Sequence, residues 1–440
     1  MIELIAIFLH LIIFLIICSF PLNPKILNKF IKNKGNVLNY VDCHAVNIFI
    51  FINILLIASF LKIHLNYLFS VLMIISIIFM LIRREEYVSL INKKNFIKSF
   101  FFLIVTISIF VSIAHSTKLQ WDGLHWITKA LVFYNNEPIQ NLKFSAMPTY
   151  PHLGGYIWAF FWKNSFLQLE YFGRLFYAYF YVISIFTIFN ILNNKPRILI
   201  FGLIFALILI TFDPYLFAGY QEYLMFSTFL IASRFIIIMN FDKKIEYKKI
   251  YLILFMLSAL MWFKTEGTFY FLIFSSLLVY FQNGSLKNKV FTLSLILLTV
   301  CSQIYLQKEV IGSYGFAIEP FSRGFLDQIL DYKFIIFKTL EITKHIIIAF
   351  IKYPLWIIIF FTFLFIREKN YNKRSHFTYF LYAFILNILF VYSVYLHDTN
   401  PDPIVLPVTI DRVMFQTSGL YFVLTILILN KIKINSLNKI

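Results

Sequence analysis

Acidic residues are scarce in this chain. Only 21 Asp and Glu stand among 440 residues, against 39 Lys and Arg, and charged residues of both signs make up 14%. A soluble domain carries about 25% charged residues because it must clothe its surface for water. An ordinary soluble fold is therefore excluded. Cysteine is scarcer still. Cys18, Cys43 and Cys301 lie far apart, two of them inside apolar runs, so neither a disulfide framework nor a CxxC metal site is indicated. With 13 Gly and 12 Pro, no internal repeat or flexible linker stands out. A cleavable leader is not expected either: the first apolar run, residues 5–20, follows Glu3 where a basic region would be needed, and reads as a retained helix.

What is present is apolar. Hydrophobic residues make up 60% and the mean hydropathy is +0.79. A spanning helix needs about 20 apolar residues, and in lipid a helix satisfies its own backbone groups. The expected fold is an all-α polytopic membrane protein of about 13 transmembrane helices. Spans are predicted near residues 3–20, 46–63, 67–82, 99–114, 171–192, 197–212, 222–240, 249–263, 267–282, 289–306, 347–366, 376–396 and 412–430. Residues 1–98 form an N-terminal three-helix segment, 99–430 the main membrane domain, and 431–440 a cytoplasmic tail.

The formal charge of +18 does not point to nucleic acid, because of where it sits. Alternate gaps (21–45, 83–98, 193–196, 241–248, 283–288, 367–375 and the tail) hold or border 24 of the 39 Lys and Arg. By the positive-inside rule these gaps are cytoplasmic. The other gaps then face outward: 115–170, 213–221, 264–266, 307–346 and 397–411. They carry the aromatic, acidic and His residues. The apolar segment 150–165 is too short to cross and reads as interfacial or re-entrant.

The first outer loop is the most informative. Along Trp121-Asp122-Gly-Leu-His125-Trp126-Ile-Thr-Lys129, helical periodicity puts Asp122, His125, Trp126 and Lys129 on one face. Leu124, Ile127, Leu131 and Tyr134 fall on the other. An interfacial amphipathic helix with its polar face on an aqueous cavity follows. Acid, imidazole and ammonium on one face can deprotonate a hydroxyl and hold a phosphate. Asp122 as a helix cap and the tryptophans as belt aromatics remain the plain alternative.

The same stretch, followed by Thr149-Tyr150-Pro151-His152-Leu153, resembles bacterial membrane glycosyltransferases of the GT-C superfamily. The branch is that of protein O-mannosyltransferases and lipid A aminoarabinose transferases. Ala218-Gly219-Tyr220-Gln221-Glu222 resembles that family's G-Y-A-D stretch, Lys264-Thr265-Glu266-Gly267 its K-x-E-G stretch, and Asp411-Arg412 an arginine pattern before the last helix. Glu222 stands where Asp is usual, Gly123 where Ala is usual, and three spans precede the loop where many relatives have one.

The resemblance implies a GT-C-like bundle whose outer loops carry juxtamembrane helices. It implies inverting transfer of a sugar from a polyprenyl-phosphate donor to a glycan, lipid or protein acceptor, with Asp122 as general base. Lys129, Lys264 and Arg412 are then the cations for the donor phosphate, and Trp121, His125, Trp126, Tyr150, His152, Tyr220, Glu222 and Glu266 line the pocket. The setting implied is the outer side of a bacterial inner or plasma membrane. No cofactor is assigned: some members of the superfamily use a divalent cation and others none, and His115, His125, His152 and His397 show no HxxxH or HExxH spacing.

Plain readings stand beside several of these. Lys264 and Glu266 suit an interfacial pair worth under about 1 kcal/mol. Arg412 at an outer helix end suits a phosphate, or Asp411, or snorkelling. Arg234, about 9 Å from the inner end of its span, can snorkel. Two rival classes remain. A surface-polysaccharide polymerase or ligase usually carries several arginines in a late outer loop, where 307–346 has Arg323 alone. A transporter or flippase places charges along the midplane, often in repeated halves.

Overall fold

The first long helix starts where its sequence provides a cap. The Asn39 side chain accepts from the backbone N–H of Val41 (2.9 Å) and Asp42 (3.1 Å), and the Asp42 carboxylate accepts from Asn39 N–H at 3.2 Å. This reciprocal box satisfies amide donors that no helical carbonyl reaches. In the computed structural model the described residues are 2–31, 38–91, 100–112 without 102 and 109, 119, 122–189, 191, 219–239, 241, 247–312, 332–365, 376–396 and 405–437. All regular structure among them is helical. The expected span 197–212, Trp121, His115, His397 and Arg323 lie outside the described residues.

Chain contacts divide the protein into two compact units. One comprises Met1–Thr187, Pro214–Leu224 and Glu309–Gly312; the other comprises Ile188–Asp213, Met225–Lys308 and Ser313–Ile440.

The first unit contains α1 (Ile2–Ile17), α2 (Pro24–Ile31), α3 (Tyr40–Phe60), α4 (Leu65–Ile82), α5 (Arg84–Ile91), α6 (Asp122–Tyr134), α7 (Leu153–Lys163) and most of α8 (Glu170–Phe189). Its core is aromatic. Phe14 meets Phe161 at 4.7 Å and Phe176 at 5.6 Å, and Phe161 stacks on Phe176 at 4.9 Å. Two gaps that charge alternation assigns to one side touch each other. The Asn23 amide donates to the Glu86 carboxylate (3.0 Å), and the Tyr87 hydroxyl to Ser19 O (3.2 Å).

The second unit contains most of α9 (Glu222–Ile238), then α10 (Tyr247–Ser258), α11 (Leu260–Phe263), α12 (Glu266–Phe281), α13 (Leu286–Tyr305), α14 (Tyr332–Lys352), α15 (Pro354–Phe365), α16 (His376–Leu396) and α17 (Val405–Leu437). Phe226 stacks on Phe415 at 5.0 Å. Gly419 makes that approach feasible, since a Cβ there would lie 2.4 Å from Phe226 O. Small residues that let backbones come close are the usual adhesive between helices in lipid. At one end of this unit the His376 ring donates to Met239 O at 2.7 Å, and the Asn288 amide bonds the Tyr247 hydroxyl.

Five helices among the described residues are long and apolar enough to cross a membrane: Tyr40–Phe60, Leu65–Ile82, Glu170–Phe189, Leu286–Val310 and His376–Leu396. A sixth is counted if Tyr332–Lys352 and Pro354–Leu364, bent by 95°, form one span. Among the described residues the protein is all-helical, with helices suited by length and composition to a membrane, and the expected count of about 13 spans is not confirmed. The span expected at 347–366 is broken. Pro354 lacks the N–H that would continue α14, and its ring disfavours helical geometry at Tyr353. Helix α14 also begins well inside the outer gap expected at 307–346.

Candidate functional site

In the first unit, α6 and α7 cross at Gly155. A Cβ on Gly155 would sit 3.0 Å from Lys129 Cβ and 3.2 Å from Ala130 N; one on Gly154 would overlap the Gln221 amide. That crossing decides which face of α6 is covered. Trp126 and Lys129 are buried, while Leu124 and Leu131 are exposed. The face expected to look onto an open cavity is thus divided. Asp122 and His125 remain half-exposed at the helix start, with Oδ1 and Nδ1 4.0 Å apart.

Lys129 departs most from expectation. Read from the sequence as a phosphate-holding cation on an open face, it is 1% exposed and donates from Nζ to Tyr150 O at 2.9 Å. Burial without a counter-charge pulls its pKa down to about 7. Tyr150 keeps its ring against Trp126, centroids 5.9 Å apart. His152, expected as a substrate contact, is buried between Phe60 and Phe133, and its Nε2 pairs with the Ser59 hydroxyl at 2.8 Å. Burial, and then nearby Lys129, lower its pKa to about 3, so the ring is neutral.

The 219–222 stretch closes over α7. Gly219 has φ +93, and a Cβ there would strike the Trp158 ring at 2.3 Å. Only glycine meets both demands. The Gln221 amide donates to the Tyr177 hydroxyl (3.0 Å), which donates to Gly154 O (2.7 Å). Tyr220 and Glu222 are buried beside it. Arg174 binds the Glu170 carboxylate through two nitrogens, each at 2.8 Å, with its guanidinium 5.4 Å from the Trp158 ring. Gln221, Tyr177 and Arg174 were not singled out from sequence; the i,i+4 spacing of Glu170 and Arg174 was the one available signal.

In the second unit, the Lys264-Thr265-Glu266-Gly267 stretch breaks α11 from α12. Lys264 is extended (φ −147, ψ 159), and a Cβ on Gly267 would sit 1.9 Å from Leu260 O. The break turns Lys264 Nζ to within 3.4 Å of the Glu266 carboxylate. The Tyr395 hydroxyl bonds Thr409 and lies within electrostatic reach of Glu266, Lys264 and Arg412. Sequence reading had passed over this tyrosine, which feels charges from two distant islands. Asp411 is engaged elsewhere: the Tyr353 hydroxyl donates to Oδ2 at 2.7 Å and Lys352 lies 3.3 Å away. The α14–α15 bend presents that pair.

No group of three or more His, Cys, Asp or Glu among the described residues could hold a metal ion. The chain matches no family model, no curated protein and no solved structure.

Proposed function

We propose that this chain is a GT-C-type glycosyltransferase that moves a sugar from a polyprenyl-phosphate donor to a glycan, lipid or protein acceptor. Its helices would form a bundle of about 13 spans in a bacterial inner or plasma membrane, with the chemistry on the outer side. The observation that carries the reading is the Lys264–Glu266 pair at the α11–α12 break, with Arg412 also within electrostatic reach of Tyr395. Two cations offset by one carboxylate suit a phosphate monoester whose charge grows as it leaves.

Asp122 is the base in this reading, since it begins α6 half-exposed beside His125. The acceptor O–H attacks the anomeric carbon, and its proton passes to Asp122. The bond from that carbon to the phosphate oxygen breaks, and its electron pair leaves with the polyprenyl phosphate. Inversion follows from the single displacement. Lys129, being buried and bonded to Tyr150, acts by holding the loop under α6 rather than by meeting phosphate.

The test is transfer from a synthetic polyprenyl-phosphate sugar by purified variants. Asp122→Asn should abolish turnover at normal abundance and membrane insertion. Lys264→Met and Arg412→Met should each lower turnover by about 10²–10³-fold, the scale for removing one transition-state partner. Near-normal transfer by Asp122→Asn would remove the assigned base.

A further inference from the structure

Helix α2 carries three pairs of residues, each pair four apart and so on one side of the helix. Leu27 and Ile31 face the protein, 0% and 2% exposed. Lys25 and Lys29 are exposed on a second side. Ile26 and Phe30, 40% and 44% exposed, make a third. So short a helix does not hold itself in water, and this one is fixed by side-chain amides. Asn23 caps it, accepting from Ile26 N–H at 2.8 Å, and donates to the Glu86 carboxylate at 3.0 Å. The Asn28 amide donates to Leu38 O and accepts from Leu38 N–H, both at 2.9 Å. Leu22 and the Asn47 side chain exchange two further bonds of 3.0 Å.

Those anchors also fix the level at which α2 lies. Asn47 belongs to α3, and Glu86 follows the end of α4. Both helices are long and apolar enough to cross a membrane. The Tyr40 hydroxyl lies 3.5 Å from Glu86 O, so the start of α3 and the end of α4 are together. There α4 still exposes Leu81 (66%) and Ile82 (77%). Helix α2 is therefore level with the point where these two helices, as spans, leave the bilayer. Charge alternation assigns that side to the cytoplasm. Lipid is the apolar phase within reach of Ile26 and Phe30.

The basic side determines which lipid suits the helix. Helix α2 contains no acid. Glu86 lies 3.9 Å from Lys25 Nζ but already takes the Asn23 amide, and the Lys25 side chain is 86% exposed, open to a second partner. A zwitterionic headgroup brings an ammonium that opposes the lysines; an anionic one brings phosphate without it. A basic pair beside an apolar pair is the pattern of a helix resting in the interface. A nucleic acid would leave Ile26 and Phe30 without a partner.

We propose that α2 is a docking surface for anionic phospholipid, with Ile26 and Phe30 among the upper acyl carbons and Lys25 and Lys29 at the headgroup phosphates. This surface is independent of the transfer reaction, since no residue of α2 belongs to the groups assigned to it.

The test uses the full-length Cys301→Ser protein with a fluorophore on Phe30→Cys; Cys18 and Cys43 are buried. It is reconstituted into vesicles of phosphatidylcholine and phosphatidylglycerol. Nitroxide-labelled phosphatidylglycerol or phosphatidylcholine is then added at equal mole fraction. Both should quench the fluorophore, the anionic lipid about fivefold more strongly, the order expected for a lysine at a charged surface. High salt should reduce that preference. Lys25→Gln with Lys29→Gln should bring the ratio to about 1. Both lysines are exposed and the packing of Leu27 and Ile31 is untouched, so misfolding does not confound the variant. Absence of quenching by either lipid would place α2 in water or under another chain and overturn the proposal. So would equal quenching by the two lipids, or a preference that survives the double substitution.

Discussion

At the scale of the residue, Lys129 is where physical setting changes the reading of a side chain. Spacing alone placed an ammonium beside Asp122 and His125, and nothing in the string says that a glycine twenty-six residues later brings α7 against it. Buried and bonded to Tyr150 O, Lys129 has its pKa lowered from 10.5 to about 7. Between those values the unfolded chain binds the proton that the native protein does not. Stability therefore rises with pH across that window, by up to about 1.4 kcal/mol per unit from this one group. Below about pH 7 both states are protonated and the contribution is flat. Thermal unfolding followed from pH 7 to 10 should show this slope, and Lys129→Met should remove it. Equal slopes in both proteins would mean the lysine is charged in the native state. Lys62 gives a second residue-scale expectation. Its left-handed backbone costs about 1 kcal/mol relative to glycine, so Lys62→Gly should raise the unfolding midpoint, and an unchanged midpoint would mean that the strain is relieved locally.

At the scale of the element, periodicity and apolar runs located most of the helices, because each expresses a local preference that tertiary structure had no reason to override. Spans expected at 67–82, 171–192, 222–240, 267–282 and 376–396 each lie on a helix that begins and ends within a few residues of them. Interruptions were harder to read. Pro354 sits inside an apolar run, so hydropathy joins what its missing N–H divides. The segment 150–165, read as too short to cross, is a helix buried among α3, α4 and α6. The candidate residues follow the same rule. The Lys264 and Arg412 islands were visible as charges at helix ends. Tyr395 was not, since one more tyrosine in an aromatic chain carries no local signal, and Gln221 was visible only as part of its island, without a role of its own. The glycines carry the element-scale test. Gly267→Ala would drive a methyl into Leu260 O at 1.9 Å, and backbone cannot rotate away as a side chain can. It should destabilise the protein by about 1–3 kcal/mol and reduce transfer by displacing Lys264. Unchanged melting and turnover would mean that the break is not held by this contact.

At the scale of the whole molecule, charge alternation groups the gaps between helices, and packing within each unit is a separate source of the same grouping. Gaps 21–45 and 83–98 meet through Asn23 and Glu86, and the α3–α4 turn and the end of α6 line one small cavity. Each pairing joins gaps of one assigned side. Proximity alone does not say which side faces outward; the positive-inside rule supplies that choice. Single cysteines in a Cys301→Ser background would decide it. Gln140→Cys, on the exposed turn after α6, should react with a membrane-impermeant maleimide on intact cells. Lys25→Cys, 86% exposed as lysine, and Lys287→Cys should react only after permeabilisation. The reverse pattern would put Asp122 on the cytoplasmic face, where an outer-leaflet donor head group is absent, and the transfer chemistry proposed for it would have no substrate to act on.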